Sequence, residues 1–111
     1  MEELVRDILI GNTNNRRLGL PPNYDPNNID GGETLLMIAN QTNNPLLYTE
    51  LLIKDGANPN IVFPEYGTAL HYAVVNNNIE TIEYLLQNGA NPFLKDGNNE
   101  TPYDLAIVLL I

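Results

Sequence analysis

The sequence predicts an all-α solenoid, a stack of helix-turn-helix units, and three observations carry the prediction. Landmark residues recur at a nearly constant interval: Thr34, Thr68 and Thr101 are 34 and then 33 residues apart, and Ala39, Ala73 and Ala106 follow the same steps. Gly56 and Gly89, with Asn58-Pro59 and Asn91-Pro92, repeat at 33. The stretch from Gly67 to Pro92 holds one whole period: a short helix opened by Thr68, a polar break at Asn76, Asn77 and Asn78, a second amphipathic helix, and a stop at Gly89. Such a pattern arises when each unit can bury its apolar face only against its neighbours.

Taken in order, Glu2 to Ile10 reads as a helix, with Leu4, Val5, Ile8 and Leu9 on one face, acidic residues in the first turn and Gly11 to stop it. We expect this helix to cover the start of the stack. From Gly11 to Thr34 is 23 residues, whereas Gly56 to Thr68 and Gly89 to Thr101 are each 12, so about 11 extra residues are inserted here. The inserted loop contains Arg16, Arg17, Leu18, Leu20 and Tyr24. Loops of this length are usually functional or disordered, and both readings stay open.

In the first full repeat Leu36 and Ala39 should face inward from the first helix, and Leu46, Leu52 and Ile53 from the second. Its inter-helix turn is one residue longer, at Asn43-Asn44-Pro45, where Pro45 suits a first helical turn. Thr49 stands where the second repeat has Ile82, so the first unit should pack less tightly. In the second repeat Ile79, Ile82, Leu85 and Leu86 form a stripe against which Leu70 and Ala73 can lie. Asn77 and Glu80 resemble a capping pair. Gly56 and Gly89 suit left-handed positions after a helix. Thr101, Pro102 and Asp104 mark the cap, first and third positions of a last helix. One domain over 1–111 follows, divided as 1–28 (capping helix and long loop), 29–61 (repeat 1), 62–94 (repeat 2) and 95–111 (partial terminal repeat).

The Thr-x-Leu-His-x-Ala of Thr68, Leu70, His71 and Ala73, the Leu-Leu-x-x-Gly-Ala of Leu85 to Ala90, and the Asp96 to Thr101-Pro102 turn together resemble the ankyrin repeat. The resemblance covers about residues 30 to 111. It implies that His71 is structural, its ring bonded to the backbone of an adjoining repeat turn. The sequence departs from the family pattern in lacking its proline at Leu35 and Ala69, in placing Met37 and Asp104 where histidine is usual, and in Asn77 where glycine is usual.

Composition narrows the function. There is no cysteine or serine and a single histidine, so thiolate metal sites, disulfides and a Ser-His-Asp triad are excluded. No Gly-rich loop precedes a lysine-bearing helix, and Asp96 to Glu100 lacks the ligand alternation of a calcium loop. No cofactor is expected. A net charge of −9, from 14 acidic and 5 basic residues, disfavours nucleic acid and favours a partner with a basic surface. The acidic start is not a signal peptide, and no run approaches the ~18 apolar residues of a membrane span, so we expect an intracellular protein, cytoplasmic or nuclear.

What remains is surface. The resemblance implies a non-enzymatic protein-protein interaction module that binds through its finger turns and the exposed flank of each first helix. Carried onto this sequence, the partner-binding positions are Asp30 and Glu33 on the first finger, Glu65 and Tyr66 on the second, Asn98 and Glu100 on the third, and Gln41, Val75 and Asn76 on the helices. Phe63 adds a second aromatic beside Tyr66; the pair reads equally as an interface hot spot or as sideways packing. The last segment, LAIVLLI, stays apolar where a terminal unit should turn polar. A homodimer through Val108, Leu110 and Ile111 is the expectation drawn from it, with self-assembly the alternative function.

Overall fold

The computed structural model describes residues 24–30 and 33–110. The expected helix over Glu2 to Ile10, the inserted loop as far as residue 23, Gly31 and Ile111 lie outside the described residues, as do the side chains of Asp30 and Leu110. The elements run β1 (Ile29–Asp30), β2 (Glu33–Thr34), α1 (Leu35–Ala39), α2 (Pro45–Lys54), α3 (Ala69–Val75), α4 (Ile79–Gln87) and α5 (Pro102–Leu110). Within each repeat the two helices pack on each other, α1 on α2 and α3 on α4; between repeats α1 meets α3, α2 meets α4 and α3 meets α5. This is the predicted all-α solenoid. Its only strands among the described residues are the antiparallel pair β1 and β2, in the register Ile29 with Thr34 and Asp30 with Glu33.

Each first helix opens with the same reciprocal cap built from three different chemistries. The Thr34 hydroxyl accepts from the Met37 N–H at 3.2 Å, and the Met37 sulfur accepts the Thr34 N–H at 3.5 Å. In the second repeat the Thr68 N–H donates to His71 Nδ1 at 2.9 Å, while the His71 N–H reaches the Thr68 hydroxyl at 3.4 Å. In the third, the Thr101 N–H donates to Asp104 Oδ2 at 3.1 Å and the Asp104 N–H to the Thr101 hydroxyl at 3.0 Å. Met37 and Asp104 therefore do the work of histidine within the cap, satisfying helix-terminal donors that have no partner inside the helix. What they do not supply is histidine's second nitrogen.

The repeats are stitched side by side by asparagines at the 33-residue period. Asn27 Oδ1 accepts the Asn58 N–H at 2.6 Å and its Nδ2 reaches the Gly56 carbonyl at 3.3 Å. Asn60 does the same to Asn91 N–H at 2.8 Å and Gly89 O at 2.9 Å. At the next step the residue is Phe93, whose ring instead lies 6.0 Å from that of Tyr103.

Three expectations are corrected. The first repeat holds the most buried helix, since all five residues of α1 are enclosed and Tyr48 and Leu52 of α2 are fully buried beneath it. Burial pushes the Tyr48 phenol pKa up. Tyr48 takes the place that Thr81 holds in α4, so it supplies bulk next to the smaller Thr49; Thr49 is buried as well, with its hydroxyl lacking a partner. Second, Asn77 does not cap α4: it has φ +57°, the left-handed conformation that asparagine tolerates better than most residues, and Asn78 is the N-cap, without a side-chain capping bond. Asn78 instead bonds across to the Asn40 carbonyl and side chain, both at 3.1 Å. Third, the α4 stripe is split. Thr81 and Leu85 are buried with Ile82 packed at the edge, whereas Leu86 is exposed at a cleft beside α5 and Ile79 is exposed next to the turn at Asn43 to Leu47. Gly56 (φ +101°) and Gly89 (φ +92°) are left-handed as expected.

Candidate binding groove

The fingers are three short turns held by their own backbones. The first is β1 and β2. In the second, Phe63 and Gly67 exchange two N–H···O bonds of 2.8 and 2.7 Å. In the third, the Asp96 N–H donates to the Glu100 carbonyl at 2.9 Å, and Asp96 Oδ1 accepts the N–H groups of Asn98 (2.9 Å) and Glu100 (3.0 Å). Asp96 is thus an organiser of its turn. The second and third fingers touch: a Cβ on Gly97 would lie 2.5 Å from the Pro64 carbonyl oxygen.

His71 joins helix to finger. Because Nδ1 accepts the Thr68 N–H, the proton sits on Nε2, which donates to the Glu100 carbonyl at 2.9 Å. The ring is buried and both nitrogens are engaged, so it is not placed for general-base chemistry. The structural role expected of it is the one observed.

Between the second and third fingers and the outer flank of α3 lies an open groove of about 380 Å³, lined by Gln41, Glu65, Tyr66, His71, Tyr72, Val75, Asn76, Asp96 and Leu105. Five of the predicted positions, Gln41, Glu65, Tyr66, Val75 and Asn76, are brought together here from three separate elements of the chain. Val75 is 62 % exposed and Tyr66 48 %, so the groove presents apolar surface to solvent. Glu33 acts as a brace for it: its carboxylate accepts from the Gln41 amide at 3.3 Å and from the Tyr72 hydroxyl at 3.2 Å.

The other predicted positions are placed differently. Phe63 is half-buried and does not line the groove, although the Tyr66 N–H bonds its carbonyl at 3.2 Å within the same turn. Asn98 is exposed beyond the groove, and Glu100 contributes its carbonyl to His71. Asp30 is described only through its pairing with Glu33. Val108 is 59 % exposed and does not line the groove. Sequence reasoning missed Tyr72, Asp96 and Leu105. Tyr72 was legible, since it precedes Val75 and Asn76 by three and four residues and so shares their helix face; Asp96 and Leu105 come from another repeat and had no such signal.

Among the described residues no group of three or more His, Cys, Asp or Glu side chains could hold a metal ion. No helix among them is long and apolar enough to cross a membrane.

Stacked helix pairs, left-handed glycines after each second helix, projecting fingers and a groove along the first-helix flank define a helical-repeat module. Residues 2–96 match the family model for ankyrin repeats, in three copies. The chain belongs to the ankyrin-repeat family. It is 40 % identical over 77 residues to a probable E3 ubiquitin-protein ligase of Oryza sativa subsp. japonica, covering 68 % of this chain and 15 % of that protein. It is 36 % identical over 74 residues to the human 2-5A-dependent ribonuclease, covering 66 % of this chain and 10 % of the ribonuclease. It is 48 % identical over 61 residues to the glycerophosphocholine phosphodiesterase of Schizosaccharomyces pombe strain 972, covering 54 % and 5 %. The chain thus spans a small fraction of each relative. Ankyrin repeats are in general protein-protein interaction modules, and such domains are typically non-enzymatic.

Proposed function

We propose that this chain is a non-enzymatic interaction module that binds a protein partner in the groove between its fingers and the flank of α3. The observation that carries the reading is the convergence of Gln41, Glu65, Tyr66, Val75 and Asn76 on one groove in which Tyr66 and Val75 are exposed to solvent. Because helices and capped turns hold these residues, little ordering entropy is lost on binding. The test compares partners captured from the source cell by the wild type, by Tyr66→Ala with Val75→Glu, and by Glu83→Lys, which lies outside the groove. We expect the double variant to lose its partners with its thermal midpoint unchanged and Glu83→Lys to retain them. Retention of every partner by the double variant would overturn the reading.

A second reading is self-association through the end of the stack. It is favoured by a wholly apolar cleft of about 130 Å³ between α3, α4 and α5, whose lining residues Leu86 and Tyr103 are exposed, and by the exposure of Ile107 and Val108 elsewhere on α5. Light scattering at micromolar concentration should then show a dimer that Val108→Glu converts to a monomer. A strict monomer indifferent to Val108→Glu would sink this second reading.

A further inference from the structure

The groove is anionic as well as apolar. Glu65 is exposed on the finger tip and its carboxylate is unpaired among the described residues. Asp96 spends Oδ1 on two backbone N–H groups, while Oδ2 lies 4.0 Å from His71 Nε2, beyond hydrogen-bonding distance; its side chain is 11 % exposed, so the carboxylate meets the groove only at its edge. No lysine or arginine lines the groove, and the Gln41 amide is already turned toward Glu33 and the Met37 carbonyl. Two tyrosines share the groove with these carboxylates, Tyr66 half-exposed and Tyr72 fixed through its hydroxyl to Glu33, and Val75 and Leu105 line it as well.

We infer that the groove reads an arginine side chain on a basic segment of the partner protein, with the guanidinium taken by the Glu65 and Asp96 carboxylates and the tyrosine faces. This rests on the reading of the groove as the partner surface and specifies what enters it. The chemistry favours arginine over lysine for three reasons. A planar guanidinium stacks on an aromatic face while still donating in its own plane. Its forked N–H groups can serve two acceptors at once, which an ammonium point charge does less well. Its methylene stem covers apolar surface such as Val75 and Leu105. The groove lies at the small end of ligand-sized clefts, the scale of a side chain with its flanking backbone and not of a docked helix. The charge of −9 adds long-range attraction for a basic segment but cannot by itself distinguish arginine from lysine.

The test is an NMR titration of the full chain with a nine-residue Gly/Ser peptide carrying a central Arg-Gly-Arg, and with the same peptide bearing lysine or citrulline in place of both arginines. We expect shifts centred on the amides of Glu65, Tyr66, Val75, Asn76 and Asp96, arginine binding several-fold tighter than lysine, and citrulline about tenfold weaker than arginine or worse. Glu65→Gln should weaken the arginine peptide about tenfold. Tyr66→Leu, which keeps the apolar contact and removes the π face, should abolish the preference over lysine. Glu83→Gln, an identical charge change on the outer side of α4, should leave binding as it was. Equal affinity for arginine and lysine with equal effects of Glu65→Gln and Glu83→Gln would overturn the inference in favour of diffuse attraction. Spermine shifting the same amides as strongly as the arginine peptide would also overturn it. If the arginine peptide produces no groove shifts while Tyr66→Ala with Val75→Glu still releases the cellular partner, the arginine inference fails and the groove reading stands; if neither happens, both fail.

Discussion

Gly67→Val is expected to destabilise the domain by about 3 kcal/mol, a large share of the total stability of a typical domain. Gly67 has φ +84°, and a Cβ there would stand 2.5 Å from His71 Nδ1, 2.7 Å from its Cγ and 2.8 Å from its Cε1. The imidazole has nowhere to go, because one nitrogen accepts the Thr68 N–H and the other donates to the Glu100 carbonyl. The backbone strain of a β-branched residue at positive φ and the steric overlap therefore add. Gly89→Val separates the two effects. It carries the same kind of strain at φ +92° but nothing lies within 4 Å of the new Cβ, so about 1 kcal/mol is expected. Urea denaturation of both variants decides the matter. Equal midpoints would show that the ring yields freely, whereas partial recovery in Gly67→Val with His71→Ala would confirm that the overlap is with the imidazole.

Leu85→Ala should cost about 3 kcal/mol and Leu86→Ala no more than about 1 kcal/mol, although the two are adjacent leucines on one helix. Leu85 is fully buried in the core with Leu52 and Leu70, and its truncation leaves a cavity that the fixed helices around it cannot close. Leu86 is 43 % exposed and faces the end of the stack. Denaturation midpoints measured at low and high protein concentration make the comparison sharper. A Leu86→Ala cost that rises toward that of Leu85→Ala at high concentration would mean that Leu86 is covered by a second copy, and a cost that stays small and flat would mean that it is not.

The features legible in the sequence are those that a single repeat needs for itself. Threonine caps, left-handed glycines and Pro45 at a first turn are local solutions to unsatisfied N–H groups and positive φ, so they are visible wherever they occur. Their recurrence at 33 or 34 residues, with Thr68-x-Leu70-His71-x-Ala73, defines a stacked solenoid and carries the family resemblance. The family resemblance put Gln41, Tyr66, Val75 and Asn76 on the finger tips and first-helix flanks, and these four line one groove. Helix boundaries near Asn77 were less legible, because asparagine serves equally as a cap or as a left-handed turn residue and only the backbone path chooses.

What the sequence by itself determined was the repeating unit: its caps, its turns and the inward face of each first helix, all set by interactions within about four residues along the chain or by hydrophobic period. Only the tertiary structure decided how neighbouring units use each other. It placed Tyr48 in the layer where the next repeat has Thr81, left Ile79 and Leu86 uncovered, turned Tyr66 but not Phe63 to the groove, and brought Asp96 and Leu105 of the last unit to Tyr72 of the one before. These outcomes depend on the offset between stacked repeats, and that offset is fixed by contacts 29 to 38 residues apart, such as Asn60 to Gly89, Asn78 to Asn40 and His71 to Glu100. A local pattern encodes which face of a helix is apolar; only the neighbouring repeat determines how much of that face is covered.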